Sequence, residues 1–281
     1  MFSSLFLLLP LLAPALAMPV EVELEQRNNS DSSGGSGGSG QSLKDFIAEL
    51  YAQVNPNDRN TLLGNGFVFD FLAAQSFGGG GRDGGVILAD NTLFPGVVGN
   101  GLSWLVGFLG PCGMVAPHNH PRASEYLFNI AGPPLAATSF QENGSPIFSG
   151  QVAAGDVIVL PQGSVHFVSN TGCDPVFITA GFNSETPGVG FLSSMYTSMD
   201  PQTINAAFGQ EGTVFDANKI PGAVNLGQAE CLSKCGINPD TFNINGKISN
   251  KDLMKQAFAG FLKAEGFDFD SYNSSMYQQY N

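Results

Sequence analysis

All three histidines of this chain lie in one short window beside a glutamate. The window spans residues 113–170 of a 281-residue chain. Imidazole nitrogens and carboxylate oxygens are ligands for divalent transition metals. The candidate ligands are His118, His120, Glu125 and His166. Their clustering predicts a metal site.

The spacing of these residues predicts how separate segments bring them together. His118 and His120 are two residues apart, so a strand directs both side chains to one face. Glu125 follows residues 121–124, where a proline can break the strand, and it can return facing the histidines on the next strand. His166 comes from a later strand. Three imidazoles and one carboxylate leave two positions open on a six-coordinate ion, for water, oxygen or a substrate.

The composition favours a β-rich, turn-rich protein with a sizeable core. Hydrophobic residues make up 43% of the chain and charged residues only 12%, while Gly (36) and Phe (23) are abundant. The formal net charge is −13. Because no basic stripe is present, the sequence argues against binding to nucleic acid or to anionic membranes.

The N-terminus resembles a secretory signal. Residues 1–17 form an apolar run that ends in Ala15-Leu16-Ala17, which is an A-x-A cleavage pattern. The run is too short to span a membrane, and no later segment is predicted to do so. It departs from the usual signal in having no Lys or Arg before the apolar part. We predict a secreted, extracellular protein, for which the cell wall or matrix is a candidate location.

The chain divides by composition into a leader, a linker, a core domain and a C-terminal part. After the leader at 1–17, residues 18–41 form an acidic, Gly/Ser-rich linker. The strand-rich domain is predicted at 42–200, a helical extension at 201–265 and a tail at 266–281. Homo-oligomerisation is expected from the apolar face of a helix in the extension.

Four cysteines are consistent with an oxidising compartment. Cys112 precedes the first half of the histidine window and Cys173 follows the second half, so the fold can bring them together. Cys231 and Cys235 are four residues apart, on one face of a helix. We therefore predict the disulfides Cys112–Cys173 and Cys231–Cys235 among three connectivities. Zinc binding is the alternative, but no C-x₂-C spacing supports it.

Three N-x-S/T sequences are candidate N-glycosylation sites in a secreted chain. They begin at Asn28, Asn143 and Asn273.

Helical periodicity is confined to the two ends of the chain. Ser42 and Asp45 resemble a capping box before a helix that is predicted to end near Asn55 and Pro56. Further helices are predicted at 203–208, 229–235 and 253–262.

Short apolar runs between turn signals predict many strands. They are predicted at 67–72, 86–88, 102–109, 126–130, 138–141, 147–148, 157–160, 165–169 and 176–182. Asn143-Gly144 predicts a hairpin turn. Strands without intervening helices indicate an all-β sandwich or barrel.

The histidine window resembles the two sequence motifs of the cupin superfamily. The matching positions are Gly113, His118, His120, Glu125 and Gly132 in the first motif, and Gly155, Pro161, Gly163, His166 and Asn170 in the second. The runs at 67–71, 94–95, 107–113 and 117–125 also resemble the germin-like proteins, particularly the spherulin-like group. The resemblance covers about residues 42–190.

This resemblance implies a single jelly-roll-type β-barrel with an internal metal, usually manganese, and C-terminal helices that mediate oligomerisation. The metal ligands would be His118, His120, Glu125 and His166. The sequence itself does not select manganese, which binds such ligands more weakly than the other common divalent metals. Iron, nickel, copper and zinc are therefore alternatives.

Family activities include superoxide dismutation and oxalate oxidation. Germin-type oxalate oxidases have an asparagine three residues before the first ligand histidine, where this chain has Val115, and residues 102–109 contain no asparagine. This departure makes oxalate oxidation the weaker hypothesis. Three functions are open: a metal-dependent oxidoreductase of the superoxide dismutase type, a non-catalytic coat or storage protein, and a metal-dependent module that binds a small ligand. No catalytic residue outside the metal site is assigned.

Overall fold

The computed structural model describes residues 41–71, 83–209 and 224–242. The predicted signal, nearly all of the linker, the helix at 253–262 and the tail lie outside these ranges. Within them, no helix is long and apolar enough to cross a membrane.

Two short helices precede the strands. Helix α1 (Leu43–Ala52) is capped as predicted, because the Ser42 hydroxyl accepts a hydrogen bond from the backbone N–H of Asp45. The predicted helix end at Pro56 is instead the start of a second helix, α2 (Pro56–Leu63). Proline favours the first position of a helix, where its missing N–H is not needed.

The strand predicted at 67–72 is wrong over residues 67–71, which form a turn and irregular backbone. The alternating phenylalanines pack locally and do not join a sheet. The Phe69 ring centroid lies 4.8 Å from that of Phe71 and 5.4 Å from that of Phe94. Phe94 leads into a short 3₁₀ helix (Pro95–Val97).

The core consists of two packed antiparallel sheets. In spatial order, the first sheet contains β1 (Gly84–Ala89), β2 (Ser103–Leu109), β9 (Val176–Phe182), β4 (Glu125–Ala131) and β7 (Val157–Leu160). The second contains β10 (Gly190–Phe191), β3 (Gly113–Asn119), β8 (Val165–Asn170), β5 (Leu135–Phe140) and β6 (Phe148–Val152), and β11 (Val224–Leu226) pairs with β3. This arrangement confirms the all-β core and is compatible with a jelly roll.

Aliphatic side chains from both sheets fill the space between them. Leu109, Leu135, Leu160, Val176 and Ile178 are each at most 1% exposed. Each such side chain contributes about 1.5–3 kcal/mol of stability by leaving water. The core therefore fixes the position of one sheet relative to the other, and the candidate metal ligands come from both sheets.

Three helices follow or interrupt the last strands. Helix α3 (Leu192–Thr197) was not predicted, whereas α4 (Pro201–Ala207) and α5 (Ala229–Lys234) agree with the predictions to within two residues. The side chain of Asp200 caps α4 by accepting a hydrogen bond from the N–H of Thr203. The hairpin at Asn143–Gly144 joins β5 and β6, as expected.

The predicted disulfide pairing is wrong. The structure contains Cys112–Cys231 and Cys173–Cys235. Strand β11 lies beside β3, and the Gly227 N–H donates to the Cys112 carbonyl at 2.8 Å. The following helix, α5, is thereby brought against the end of the core. Each of its two cysteines reaches one cysteine of the core.

We predict that the double variant Cys231→Ser, Cys235→Ser is less stable by about 4 kcal/mol or more, because two links between α5 and the core are lost and each disulfide typically contributes about 2–4 kcal/mol. Thermal unfolding measures the loss, with Ser233→Ala on the same helix as the control. Peptide mapping without reduction should recover the Cys112–Cys231 and Cys173–Cys235 pairs. Recovery of Cys112 joined to Cys173 would contradict the observed arrangement.

One acidic side chain is buried without compensation. Asp83 lies against Gly113 just before β1, and neither of its carboxylate oxygens has a hydrogen-bond partner among the described residues. Burial raises the pKa of this carboxyl from 3.8 to about 7. Between those pH values the folded protein keeps a proton that the unfolded chain has released, so folding stability falls as pH rises from about 4 to about 7.

We predict that Asp83→Asn raises the melting temperature at pH 8 by at least about 2 °C, because the variant has no carboxyl to keep protonated or to ionise in a buried position. The gain should shrink towards pH 4, where wild-type Asp83 is protonated in the folded state and about half protonated in the unfolded chain. The exposed Asp174→Asn is the control. An equal effect of Asp83→Asn at both pH values would contradict the burial argument.

Candidate metal centre

The pairing of β3 with β8 brings the first two histidines together. His118 and His166 are directly opposed across the antiparallel ladder, and their ring centroids are 4.4 Å apart. The register shifts between Val115 and His118. Such a bulge changes the phase of a strand, so both of these residues face the interior although they are three apart.

The other two side chains enter from the end of β3 and from the opposite sheet. His120 follows the last residue of β3, and Glu125 is the first residue of β4. Glu125 Oε2 lies 3.1 Å from His120 Nε2 and 3.2 Å from His166 Nε2. One ligand atom from each of the four residues lies within 4.8 Å of the others, and all four residues are buried. The expected return of Glu125 toward the histidines is confirmed.

Backbone carbonyls orient all three imidazole rings. The Nδ1 atoms of His118, His120 and His166 lie 2.7, 2.6 and 3.0 Å from the carbonyl oxygens of Ala116, Gly188 and Ser164, respectively. A carbonyl only accepts hydrogen bonds, so we assign the proton of each neutral ring to Nδ1. Each Nε2 then presents a lone pair toward the centre, as a metal-binding histidine does.

The charge state of the cluster also suits a cation. Burial is the largest of the causes that lower the pKa of His118 to about 3, so this ring is neutral. Burial raises the pKa of Glu125, and only positive charge or donated hydrogen bonds at His120 and His166 bring that pKa below its ordinary value. With the ring protons on Nδ1, a cation at the centre would supply that positive charge and keep Glu125 a carboxylate.

The atoms at the centre of the cluster are arranged as the ligands of a metal ion would be. His120 Nε2, His166 Nε2 and Glu125 Oε2 are buried and make no regular hydrogen bond within the described part of the chain. With the protons on Nδ1, lone pairs of nitrogen and oxygen face one another at about hydrogen-bond distance without a proton between them. A positive ion at the centre would satisfy all of them at once.

Two aromatic side chains pack against the histidines of the cluster. The ring centroid of Phe182 is 4.7 Å from that of His120, and the centroid of Phe191 is 5.4 Å from that of His118. Val115 belongs to the apolar core. These contacts exclude water from part of the site and offer no hydrogen bond to a polar ligand.

One segment supports the site in a way that was not predicted. We call residues 184–191 the strap. The Arg122 side chain donates from Nε to the Thr186 carbonyl at 2.6 Å, and its backbone N–H donates to the Pro187 carbonyl. Gly188 has a φ of +67°, and a Cβ there would lie 2.7 Å from the Arg122 guanidinium. Arg122 thus fixes the strap whose Gly188 carbonyl holds His120. No local pattern reveals this contact, which joins residues 64 positions apart.

The remaining predicted sites lie elsewhere. Cys112 precedes β3, so it is about 20 Å along the strand from His118. Asn143 is exposed in the turn between β5 and β6, and Asn28 and Asn273 lie outside the described residues.

Known proteins with similar sequences include spherulins and germin-like proteins. The cupin family profile matches residues 81–215. Spherulin-1A of Physarum polycephalum is 33% identical over 196 residues, which is 68% of this chain and 79% of the relative. Germin-like protein 1-3 of Oryza sativa subsp. japonica is 32% identical over 152 residues, covering 53% and 67% of the two chains. Auxin-binding protein ABP19b of Prunus persica is 40% identical over 127 residues, covering 45% and 58%.

A solved oxalate oxidase in complex with the substrate analogue glycolate is 26% identical, with a TM-score of 0.48 over 53% of this chain and 77% of that one. A TM-score at this level does not bear on function. The sequence similarities, the two-sheet core and the His₃Glu cluster agree with one another. The chain therefore belongs to the cupin superfamily, and its relatives there are spherulins and germin-like proteins.

We predict that Arg122→Gln weakens divalent-metal binding by about 10-fold or more, because the strap no longer fixes the His120 ring. Calorimetric titration of the metal-free protein with Mn²⁺ measures the change. Arg59→Gln is the matched control, since Arg59 also binds two backbone carbonyls but lies between α1 and α2. Equal affinities of the Arg122 variant and the wild type would contradict the supporting role.

Proposed function

We propose that this protein binds one divalent metal through His118, His120, Glu125 and His166, with manganese as the first candidate. Iron, nickel, copper and zinc are the alternatives, since the ligand set itself does not discriminate among them. The observation that carries the proposal is the convergence of buried Nε2 atoms on an ionised carboxylate, each ring being held by a backbone carbonyl.

We further propose oxidoreductase activity of the superoxide dismutase type. A redox-active metal such as manganese would supply the electron exchange when bound. The protein's own contribution is to keep the rings neutral and in place, to balance part of the metal charge with Glu125, and to exclude water with Phe182 and Phe191. Superoxide is small and needs no extended binding pocket, which is consistent with these apolar surroundings.

Oxalate oxidation is less well supported. A dicarboxylate substrate needs hydrogen-bond donors or positive charge beside the metal. Val115 occupies the position at which germin-type oxalate oxidases carry asparagine, and its side chain packs in the apolar core. Strand β2 contains no asparagine either.

Two alternatives to catalysis have specific support. Similarity to Spherulin-1A favours a non-catalytic coat or storage protein in which the metal stabilises the fold. Similarity to an auxin-binding protein favours a module that binds a small ligand at the metal. A stabilising metal would raise the melting temperature without dismutase activity. A ligand-binding role would appear as displacement of metal-bound water by a small carboxylate.

We also propose that the chain is secreted through the leader at 1–17 and carries glycans at some of Asn28, Asn143 and Asn273. The two disulfides are consistent with an oxidising compartment. Exposure of Asn143 in a turn is consistent with modification there.

The deciding experiment measures metal and activity in one sample. We predict that the purified protein contains one metal per chain by elemental analysis, and that the manganese-loaded form removes superoxide faster than the same concentration of free manganese. His120→Ala should lose both the metal and the activity. Asn119→Ala is the matched control, because Asn119 lies between the two histidines but has no ligand atom in the cluster.

The same samples distinguish the other functions. Dismutation no faster than free manganese, or retained in His120→Ala, would contradict the enzymatic proposal. Hydrogen peroxide formed on addition of oxalate would revive oxalate oxidation. Absence of bound metal after loading would contradict the metal site itself.

A further inference from the structure

The two disulfides lie against each other where α5 meets the core. They join Cys112 to Cys231 and Cys173 to Cys235. The Sγ atoms of Cys112 and Cys235, which belong to different disulfides, are only 3.6 Å apart. The Sγ of Cys231 lies within 4.8 Å of both. Because a disulfide sulfur carries no proton, the 3.6 Å distance is a van der Waals contact between the two bonds. The four cysteines therefore form one cluster.

The two disulfides differ in their access to solvent. Cys112 is fully buried and Cys231 is half-buried, and we call their bond the inner disulfide. Cys173 is exposed and Cys235 is half-buried, and we call their bond the outer disulfide. Exposed disulfides are usually the labile ones. A thiol in solution therefore reaches Cys173 more readily than any other sulfur of the cluster.

The backbone holds the two contacting sulfurs in front of each other. The N–H of Cys112 donates to the Gly172 carbonyl at 3.1 Å, and the Cys112 carbonyl accepts from the Gly227 N–H at 2.8 Å. Cys112 has a φ of +61°, a left-handed conformation that residues other than glycine seldom adopt. At the end of α5, the Cys235 N–H donates to the Cys231 carbonyl at 3.0 Å. The contact between the two disulfides is therefore fixed on both sides.

Geometry also decides which sulfur a free Cys235 thiolate would attack. Thiol–disulfide exchange proceeds by attack of a thiolate on one sulfur of a disulfide. Cys231 is four residues before Cys235 on a helical turn, where Cβ atoms lie about 5–6 Å apart. A disulfide needs a Cβ separation of about 3.5–4.5 Å. Cys112 belongs to a separate segment and already touches Cys235, so it is the favoured target.

The cysteine that such an attack releases has acceptors beside it. Attack on Cys112 would free Cys231, whose Sγ lies 3.8 Å from the Asn170 carbonyl oxygen and 3.9 Å from that of Gly172. A thiol at Cys231 can donate a weak hydrogen bond to these oxygens, whereas a disulfide sulfur has no proton to donate. The surroundings of Cys231 therefore suit a free thiol.

We propose that Cys173 is a modification site for small thiols and that the cluster passes the exchange on to the inner disulfide. The thiolate of a small thiol attacks Sγ of Cys173, forms a mixed disulfide there and releases Cys235 as a thiolate. Cys235 then attacks Sγ of Cys112, which forms Cys112–Cys235 and releases Cys231. Cys231 takes up the proton that the small thiol lost. Each step breaks one disulfide and forms one, so the small thiol is the only co-reactant.

This exchange opens a buried disulfide without unfolding the core. Helix α5 keeps a covalent link to Cys112 throughout, first from Cys231 and then from Cys235. Cys112 directly precedes β3, the strand that carries His118, so the start of that strand stays anchored. No step involves the metal site, and the exchange therefore proceeds whether or not a metal is bound.

Two single variants form a matched pair that tests the transfer step. Cys173→Ser and Cys235→Ser each remove the outer disulfide and leave one free thiol, but only the Cys235 thiol touches the inner disulfide. The full mature chain is purified without reductant, exchange is stopped with acid, and a maleimide labels the free thiols for peptide mapping. Cys173→Ser should yield labelled Cys231 and a Cys112–Cys235 disulfide. Labelling of Cys231 should be at least about 10-fold lower in Cys235→Ser, where the free thiol is Cys173.

The wild type tests both steps with 2-mercaptoethanol as the probe under native conditions. We expect one probe molecule per chain, attached to Cys173, with Cys231 as the labelled free thiol. Circular dichroism checks that the variants are folded, and if Cys173→Ser is not, the wild-type mapping decides alone.

Three results would overturn the proposal. The first is a folded Cys173→Ser variant in which Cys231 stays unlabelled. The second is a wild type that takes up no probe, or takes it up at Cys112 or Cys231 first. The third is a wild type with the probe on Cys173 and an intact inner disulfide, in which Cys235 is the free thiol.

Discussion

The buried carboxylate of Glu125 is the constraint on which the rest of the structure depends. A carboxylate between two packed sheets is costly unless positive charge or several donors surround it. Here its nearest polar atoms are the Nε2 atoms of His120 and His166, which have no proton to donate once Nδ1 binds a carbonyl. The interior of the protein is therefore arranged for a cation, and the proposed metal would be part of the fold as well as of the chemistry.

The two sheets contribute to this site in different ways. The second sheet provides His118 and His166 as a directly opposed pair, and the bulge in β3 turns His118 inward. The first sheet provides Glu125 from the start of β4. The site therefore forms only when the two sheets are packed. Binding of a metal between them would link metal affinity to folding stability.

Residues other than the candidate ligands also hold the site in place. Arg122 fixes the strap, and the strap carbonyl at Gly188 fixes His120. At the other end of β3, two disulfides attach α5 to the core. The inner face of the first sheet packs in the core and carries Glu125. Much of the outer face of this sheet is apolar and exposed.

The sequence by itself determined most of the strands and the four residues of the candidate metal site. Strand periodicity, the capping residues and the histidine spacing are local, so they predicted most strands, the start of α1, and the four residues that meet. The tertiary structure alone decided the disulfide pairing, the irregular path at 67–71 and the role of Arg122. Each of these depends on which distant segments become neighbours: β11 beside β3, Phe69 beside Phe94, and the strap beside Arg122. Local patterns contain no information on such contacts, because the packing of the whole core determines them.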